Sequence, residues 1–262
     1  MVGWCKRTAS GWTLVGARRI HVRLPRGRPR AGAPVIVLVH GLGVSSRYMV
    51  PLIRDLAGDF AVYAPDLPGY GRTPGPPRGL SIRELAESLL EWMTAMRIER
   101  PVLLGNSMGC QILAELAARF PARVERMILV GPTMDRHARS APRQFWRLVR
   151  DTFREAPTQP FVVAYDYLSF GLRRFRQTFY DAIADRVERK LPRIQVPTLV
   201  VRGARDPIVP RRWAREVASL LPYGRYVEVR GSAHTVNYMA PRQLGALVRA
   251  FVADPAYRGD RA

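Results

Sequence analysis

Apolar positions in this chain cluster into short continuous runs, set apart by longer stretches in which apolar and polar residues recur at helical spacing. The first run, Pro34-Val-Ile-Val-Leu-Val-His40, is β-branched almost throughout and stops at His-Gly. Phe60–Ala64, Val102–Leu104 and Met127–Val130 repeat the pattern. Runs of this kind fit strands buried on both faces of a parallel sheet. Between them the spacing predicts helices near Tyr48–Ala57, Ile82–Met96 and Cys110–Phe120. Ser81, with Glu84 three residues on, reads as a capping box for the second of these. The alternation stops at Gly131. From Thr133 to Pro192 the chain carries amphipathic segments rich in Phe, Trp, Tyr and Arg, broken by Pro142, Pro157, Pro160 and Gly171. That stretch predicts a helical insertion. The strand-and-helix rhythm then resumes with a strand at Thr198–Val201, a helix at Arg211–Leu220, a strand at Tyr226–Val229 and a helix at Arg242–Val252. Upstream, Trp12–Val15 and Ile20–Leu24 flank Gly16-Ala17 as an antiparallel edge hairpin. The whole predicts an α/β fold: an open, mostly parallel sheet with helices on both faces. Its core spans residues 1–132 and 193–262, with a helical cap at 133–192.

Composition narrows the function classes. A chain of 262 residues suits one large α/β domain. With 47% hydrophobic and 24% charged residues, it argues against disorder. The charge is unusual: 42 basic against 21 acidic residues, a net +21. Apart from Lys6 and Lys190 every basic residue is arginine, and the arginines are dispersed. That is the mark of coding bias rather than of one binding patch. A field this positive still leaves open an acidic carrier protein or an anionic membrane surface as partner. Nucleic acid is not expected, because no nucleic-acid motif accompanies the charge. Cys5 and Cys110 form no metal, redox or disulfide spacing, and Cys110 reads as a small packing residue. Met1–Ala17 lacks the apolar core and cleavage site of a signal peptide. No stretch approaches the roughly 18 consecutive apolar residues of a membrane-spanning helix. A cytoplasmic protein is expected, its oligomeric state open.

The candidate chemistry lies where strands end. Gly105-Asn-Ser-Met-Gly109 matches G-x-S-x-G, follows an apolar run and opens a helix, the context of a nucleophile elbow. There the glycines leave room where side chains would strike backbone, and the helix N-terminus favours negative charge. His40-Gly-Leu-Gly43 ends the first buried strand on the same sheet edge. The amides of Leu42 and Met108 are therefore the expected oxyanion donors. A serine hydroxyl needs a base. Of His21, His40, His137 and His234, the last is best placed, because it follows the final strand; His40 is expected to organise its loop. Asp206, after the penultimate strand, completes the chain order Ser…Asp…His. Asp135, also at a strand end, is the alternative acid. Asp66, in Asp66-Leu-Pro-Gly-Tyr-Gly71, is expected to shape a loop at the rim. No carboxylate or histidine cluster marks a metal site, and Gly69 and Gly71 are no dinucleotide fingerprint; no cofactor is implied.

Five marks in order, His40-Gly41-x-Gly43, Asp66-x-Pro-Gly69-x-Gly71, Gly105-Asn-Ser107-Met-Gly109, Gly203-x-x-Asp206 and Gly231-x-x-His234, resemble those of the α/β-hydrolase superfamily. The resemblance spans about residues 12 to 253. It implies an eight-stranded, mostly parallel sheet with a helical cap after the sixth strand. The elbow is similar to that of carbon–carbon hydrolases and of esterase-like members. Serine at 107 departs from the epoxide-hydrolase and dehalogenase branches, which place aspartate there. Ala233 stands where glycine is common before the histidine, and Met239 where an acidic residue is frequent before Pro241. The expected activity is serine hydrolysis of an ester or related carbonyl-activated bond in a small, largely apolar substrate. The alternatives are carbon–carbon bond hydrolysis of the meta-cleavage-product type, acyl transfer or thioester cleavage on a carrier, and a non-catalytic hydrolase-like binder. Aromatic residues of the insertion, Phe145 and Phe175 among them, are candidates for an apolar substrate pocket.

Overall fold

The computed structural model describes residues 8–155 and 158–257. Cys5, Lys6 and Pro157, and the first seven residues of the stretch weighed as a leader, lie outside them. The strands are β1 (Thr8–Val15), β2 (Arg18–Pro25), β3 (Val35–Val39), β4 (Ala61–Pro65), β5 (Val102–Asn106), β6 (Arg126–Val130), β7 (Thr198–Gly203) and β8 (Gly224–Val229). They form one eight-stranded sheet in the order β1-β2-β4-β3-β5-β6-β7-β8. The β1–β2 hairpin is antiparallel and β2 joins β4 antiparallel; every other pairing is parallel. The expected mostly parallel eight-stranded sheet is thus present.

The helices in chain order are α1 (Val50–Leu56), α2 (Ile82–Ala95), α3 (Met108–Arg119), α4 (Ala141–Thr152), α5 (Gln159–Phe170), α6 (Leu172–Ala184), α7 (Val187–Lys190), α8 (Arg211–Leu220), α9 (Val236–Met239) and α10 (Pro241–Ala253). Because side chains alternate across a strand, each apolar run serves both faces. Val37, Val39, Leu103 and Leu129 pack with Leu85, Trp92, Leu113 and Trp213 from α2, α3 and α8. Ile36, Leu38, Leu104 and Ile128 pack with Leu52, Ile53, Leu244 and Val248 from α1 and α10. Each such side chain contributes roughly 1.5–3 kcal/mol on burial, which is why the runs had to be continuously apolar.

Two features of this frame position the site. First, the chain leaves β3 for β4 on one side and places β5 on the other. The strand order therefore reverses between β3 and β5, and a crevice opens beyond their carboxyl ends. Val39 is level with Gly105 there, so the loop after β3 and the turn after β5 lie side by side. Second, α4, α5 and α6 fall between β6 and β7, where the sequence predicts helices rather than strands. Asp166 of α5, fully buried, accepts from the Ser45 amide at 3.0 Å and the Ser45 hydroxyl at 2.7 Å. That ties the inserted helices to the loop following β3.

The capping box forms as expected. The Ser81 hydroxyl accepts from the Glu84 amide at 3.2 Å, and the Glu84 carboxylate accepts from the Ser81 amide at 2.9 Å. Ser81→Ala is expected to lower global stability by about 1 kcal/mol, read as a lower urea midpoint with an unchanged slope. No loss of stability would mean that α2 is held by packing alone.

Candidate active site at the carboxyl edge of the sheet

Ser107 sits between β5 and α3 with φ 57° and ψ −122°, one of two non-glycine residues at positive φ among the described residues. Left-handed backbone is costly for an L-residue with a side chain, by about 1–3 kcal/mol, and persists only where its surroundings enforce it. The surroundings are visible. The Ser107 amide donates to the Val130 carbonyl at 2.9 Å. A Cβ on Gly105 would lie 2.7 Å from backbone atoms of Gly109, and a Cβ on Gly109 would lie 2.5 Å from the Val39 carbonyl oxygen. Both glycines are therefore needed for strand and helix to meet at this angle. Cys110 packs beneath the turn, its Sγ 3.2 Å from the Gly105 carbonyl, and burial pushes its thiol up, away from the reactive thiolate.

The loop after β3 runs against this turn: a Cβ on Gly41 would lie 3.2 Å from that of Ser107. Leu42 and Met108, the expected oxyanion donors, line one cavity with Ser107. Met108 is the first residue of α3, so its amide has no carbonyl one turn earlier to bond, and the helix dipole favours negative charge beside it. His40 holds this loop in place. Its Nε2 accepts from the Leu67 amide at 3.1 Å, which leaves Nδ1 to donate to the Gly41 carbonyl at 2.9 Å. Burial lowers its pKa, in keeping with the neutral form this pattern requires. Asp66 shapes the adjoining loop, accepting from the Ser46 and Arg72 amides and bonding to His21. Those bonds overcome its burial and hold the carboxyl down at about 2.

His234 follows β8, and its Nδ1 lies 2.8 Å from Asp206 Oδ2. The other oxygen of Asp206 accepts from the amides of Ile208 at 2.7 Å and Val209 at 2.9 Å, which fixes the carboxylate. A Cβ on Gly203 would meet the Ala233 carbonyl oxygen at 1.9 Å; glycine at the end of β7 lets the histidine loop close over it. The two departures from the superfamily pattern touch one another, the Ala233 amide donating to Met239 Sδ at 3.4 Å. Asp135, the alternative acid, is engaged elsewhere: it binds Arg147 at 3.0 Å and accepts from the His137 amide at 3.0 Å. Nε2 of His234 is buried without a hydrogen-bond partner among the described residues, on the wall of the cavity that Ser107 lines.

Four contributors escaped the sequence reading. Tyr48 donates to Asn106 Oδ1 at 2.8 Å and accepts from the Gly41 amide at 2.9 Å. Asn106 in turn donates to the His234 carbonyl at 3.2 Å. This bridge links the loop after β3, the elbow and the histidine loop. Asp151, in the last turn of α4, and Glu155 just beyond it line the cavity beside the histidine loop. Glu155 accepts from the Thr235 amide at 2.8 Å and from the Thr235 hydroxyl. Burial would depress the imidazole, but Asp206, backed by Asp151 and Glu155, outweighs it and holds His234 up at about 9. Burial likewise pushes Asp151 up to about 8 against the pull of His234, and raises Glu155. The spacing of four between the two acids was the available signal, since it puts both on one side of a helical turn.

The cavity is about 340 Å³. Its walls are mainly apolar, with Leu148 and Val149 from α4, Val163 and Tyr167 from α5, and Phe175 and Phe179 from α6. Among the described residues no group of three His, Cys, Asp or Glu side chains is placed to hold a metal ion, and no helix is long and apolar enough to cross a membrane.

Comparison with known proteins places the fold among characterised hydrolases. The chain is 27% identical over 245 residues to pyrrolizixenacetamide deacetylase of Xenorhabdus hominickii, a match covering 84% of this chain and 91% of that protein. The enol-lactonase of Burkholderia xenovorans superposes with a TM-score of 0.76 at 25% identity, covering 93% of this chain and 100% of that one. The 2-hydroxy-6-oxo-6-phenylhexa-2,4-dienoate hydrolase of a Rhodococcus strain shares the fold, with a TM-score of 0.75 at 21% identity over 94% of this chain and 99% of that one. The sequence pattern of the alpha/beta hydrolase family matches residues 36–247. The chain belongs to the alpha/beta hydrolase family.

Proposed function

We propose that this protein is a serine hydrolase that cleaves an ester or related carbonyl-activated bond of a small, largely apolar substrate through an acyl-enzyme. The observation that carries this reading is the shared cavity wall. A serine on a strained strand-to-helix turn and the unpartnered Nε2 of a carboxylate-bound histidine line the same apolar space. Ser107 Oγ attacks the carbonyl carbon while its proton passes to His234 Nε2. The amides of Leu42 and Met108 take the developing oxyanion. The tetrahedral intermediate collapses, the carbon–oxygen bond to the leaving group breaks, and the imidazolium gives that group its proton. Water then attacks the acyl carbon, its proton going to Nε2, and Ser107 regains a proton as the acid departs. Asp206 holds the imidazole in the tautomer that leaves Nε2 free to accept. That a relative bears the name of a deacetylase supports acyl-bond cleavage over the carbon–carbon alternative.

Rapid-mixing hydrolysis of p-nitrophenyl butanoate tests the reading. A burst of p-nitrophenolate stoichiometric with enzyme, followed by slower turnover, is the expected trace. Only neutral imidazole can accept the serine proton. With His234 held at about 9, kcat/KM for this neutral ester should climb through neutrality and level off near that value. A flat profile between pH 6 and 9, or turnover of a vinylogous diketone with none of any ester, would overturn the assignment.

A further inference from the structure

Most carboxylates in this arginine-rich chain have a basic partner: Arg249 binds Asp55, Arg147 binds Asp135, and Arg202 and Arg211 share Glu228. Asp151 and Glu155 do not. Neither lies within ion-pair distance of an arginine or lysine among the described residues, although both stand on the wall of the catalytic cavity. They are held differently. Glu155 is committed to the Thr235 amide and hydroxyl. Asp151 is 7% exposed, and its Oδ1 is buried without a hydrogen-bond partner among the described residues. A buried acceptor left unmet is unfavourable, so a ligand that brings an N–H to it gains what the free protein forgoes.

We propose that Asp151, with Glu155 behind it, is a cation-binding subsite, and that the preferred substrates carry a protonated amine joined by a short apolar chain to the scissile carbonyl group. This rests on the acyl-hydrolase reading and names the substrate class for it. The chemistry is selective. Burial holds Asp151 up at about 8 and raises Glu155, so a cation binds by drawing Asp151 into its carboxylate form, and an anionic substrate opposes that ionisation. An ammonium N–H satisfies Asp151 Oδ1 with a charge-assisted bond. Leu148, Val149 and Val163 accommodate the alkyl part. Substrate charge also reaches the base. The ionisable groups around His234 are Asp206, Asp151 and Glu155, with the phenols of Tyr48 and Tyr167 on the same cavity. A bound cation offsets the carboxylates that keep the imidazole protonated, so the substrate frees the base it needs.

The test uses two esters of equal shape, 3-(dimethylamino)propyl butanoate, protonated near neutrality, and its carbon isostere 4-methylpentyl butanoate. The wild type is expected to favour the ammonium ester at least tenfold in kcat/KM at pH 7.5, with its kcat limb at lower pH than that of the neutral ester. Asp151→Asn is expected to bring the ratio close to one, and to move the neutral ester's pH limb downward as His234 loses that neighbouring acid. Calorimetric binding of protonated N,N-dimethylbutylamine to wild type and Asp151→Asn reads the subsite without any turnover. Amine binding lost in the variant, with no ester cleaved, would uphold the subsite and defeat the hydrolase reading. Ester turnover with no preference for the ammonium form, or an equal loss on both esters in Asp151→Asn, would overturn the subsite and leave Asp151 a prop for the histidine loop.

Discussion

Replacing Ser107 by alanine is expected to lower ester turnover by roughly 10⁴-fold or more while leaving the fold intact. The two halves of that expectation have separate causes. Loss of Oγ removes the attacking atom from the tip of the turn. Retention of the fold follows because alanine keeps the Cβ and backbone environment, including the 2.9 Å bond from residue 107 to Val130. Ser107→Gly separates the effects further. Glycine adopts φ 57° without penalty, so this variant should be as inactive as the alanine one yet more stable by about 1 kcal/mol. Thermal unfolding beside ester hydrolysis measures both. An alanine variant that retains activity would remove Ser107 from the mechanism.

Asp206→Asn is expected to cost about 10⁴-fold in kcat at neutral pH, and the local hydrogen bonds say why. The Ile208 and Val209 amides both donate to Asp206 Oδ1. An asparagine must keep its carbonyl oxygen toward those two donors, so its NH₂ is directed at His234 Nδ1. The ring then accepts at Nδ1 and carries its proton on Nε2, the tautomer that cannot receive the serine proton. Asp135→Asn is the control. Asp135 is engaged by Arg147 and by the His137 amide, so its loss should weaken packing around α4 and change kcat by less than tenfold. The opposite ranking of the two variants would transfer the acid's role to Asp135.

Legibility in the sequence followed the range of the physics. The parallel strands were readable because burial on two faces demands continuous apolar residues, as in Val35–Val39. The capping box needs only residues three apart. The elbow was readable because two close backbone approaches require glycine, at 105 and at 109. The boundaries moved where geometry, not pattern, sets them: a 3-10 turn at Ser46–Met49 precedes α1, and α3 begins at Met108 rather than Cys110. What stayed hidden was contact between distant segments. Tyr48 looks like one more apolar helix position until Asn106 is placed opposite its hydroxyl. Asp151 and Glu155 look like solvated acids in an arginine-rich helix until α4 is laid over the crevice. Only then do they stand beside the histidine loop, and only then does the imidazole's charge state become a property of the insertion as well as of Asp206.

Ser107 is expected to be an activated nucleophile. A fluorophosphonate probe applied to the folded protein, with the modified peptide located by mass spectrometry, addresses it most directly. Labelling at Ser107 in the wild type, absent in Ser107→Ala and strongly slowed in Asp206→Asn, is the predicted result. A folded wild type that takes no label, or takes it at another residue, would remove Ser107 from the role of nucleophile.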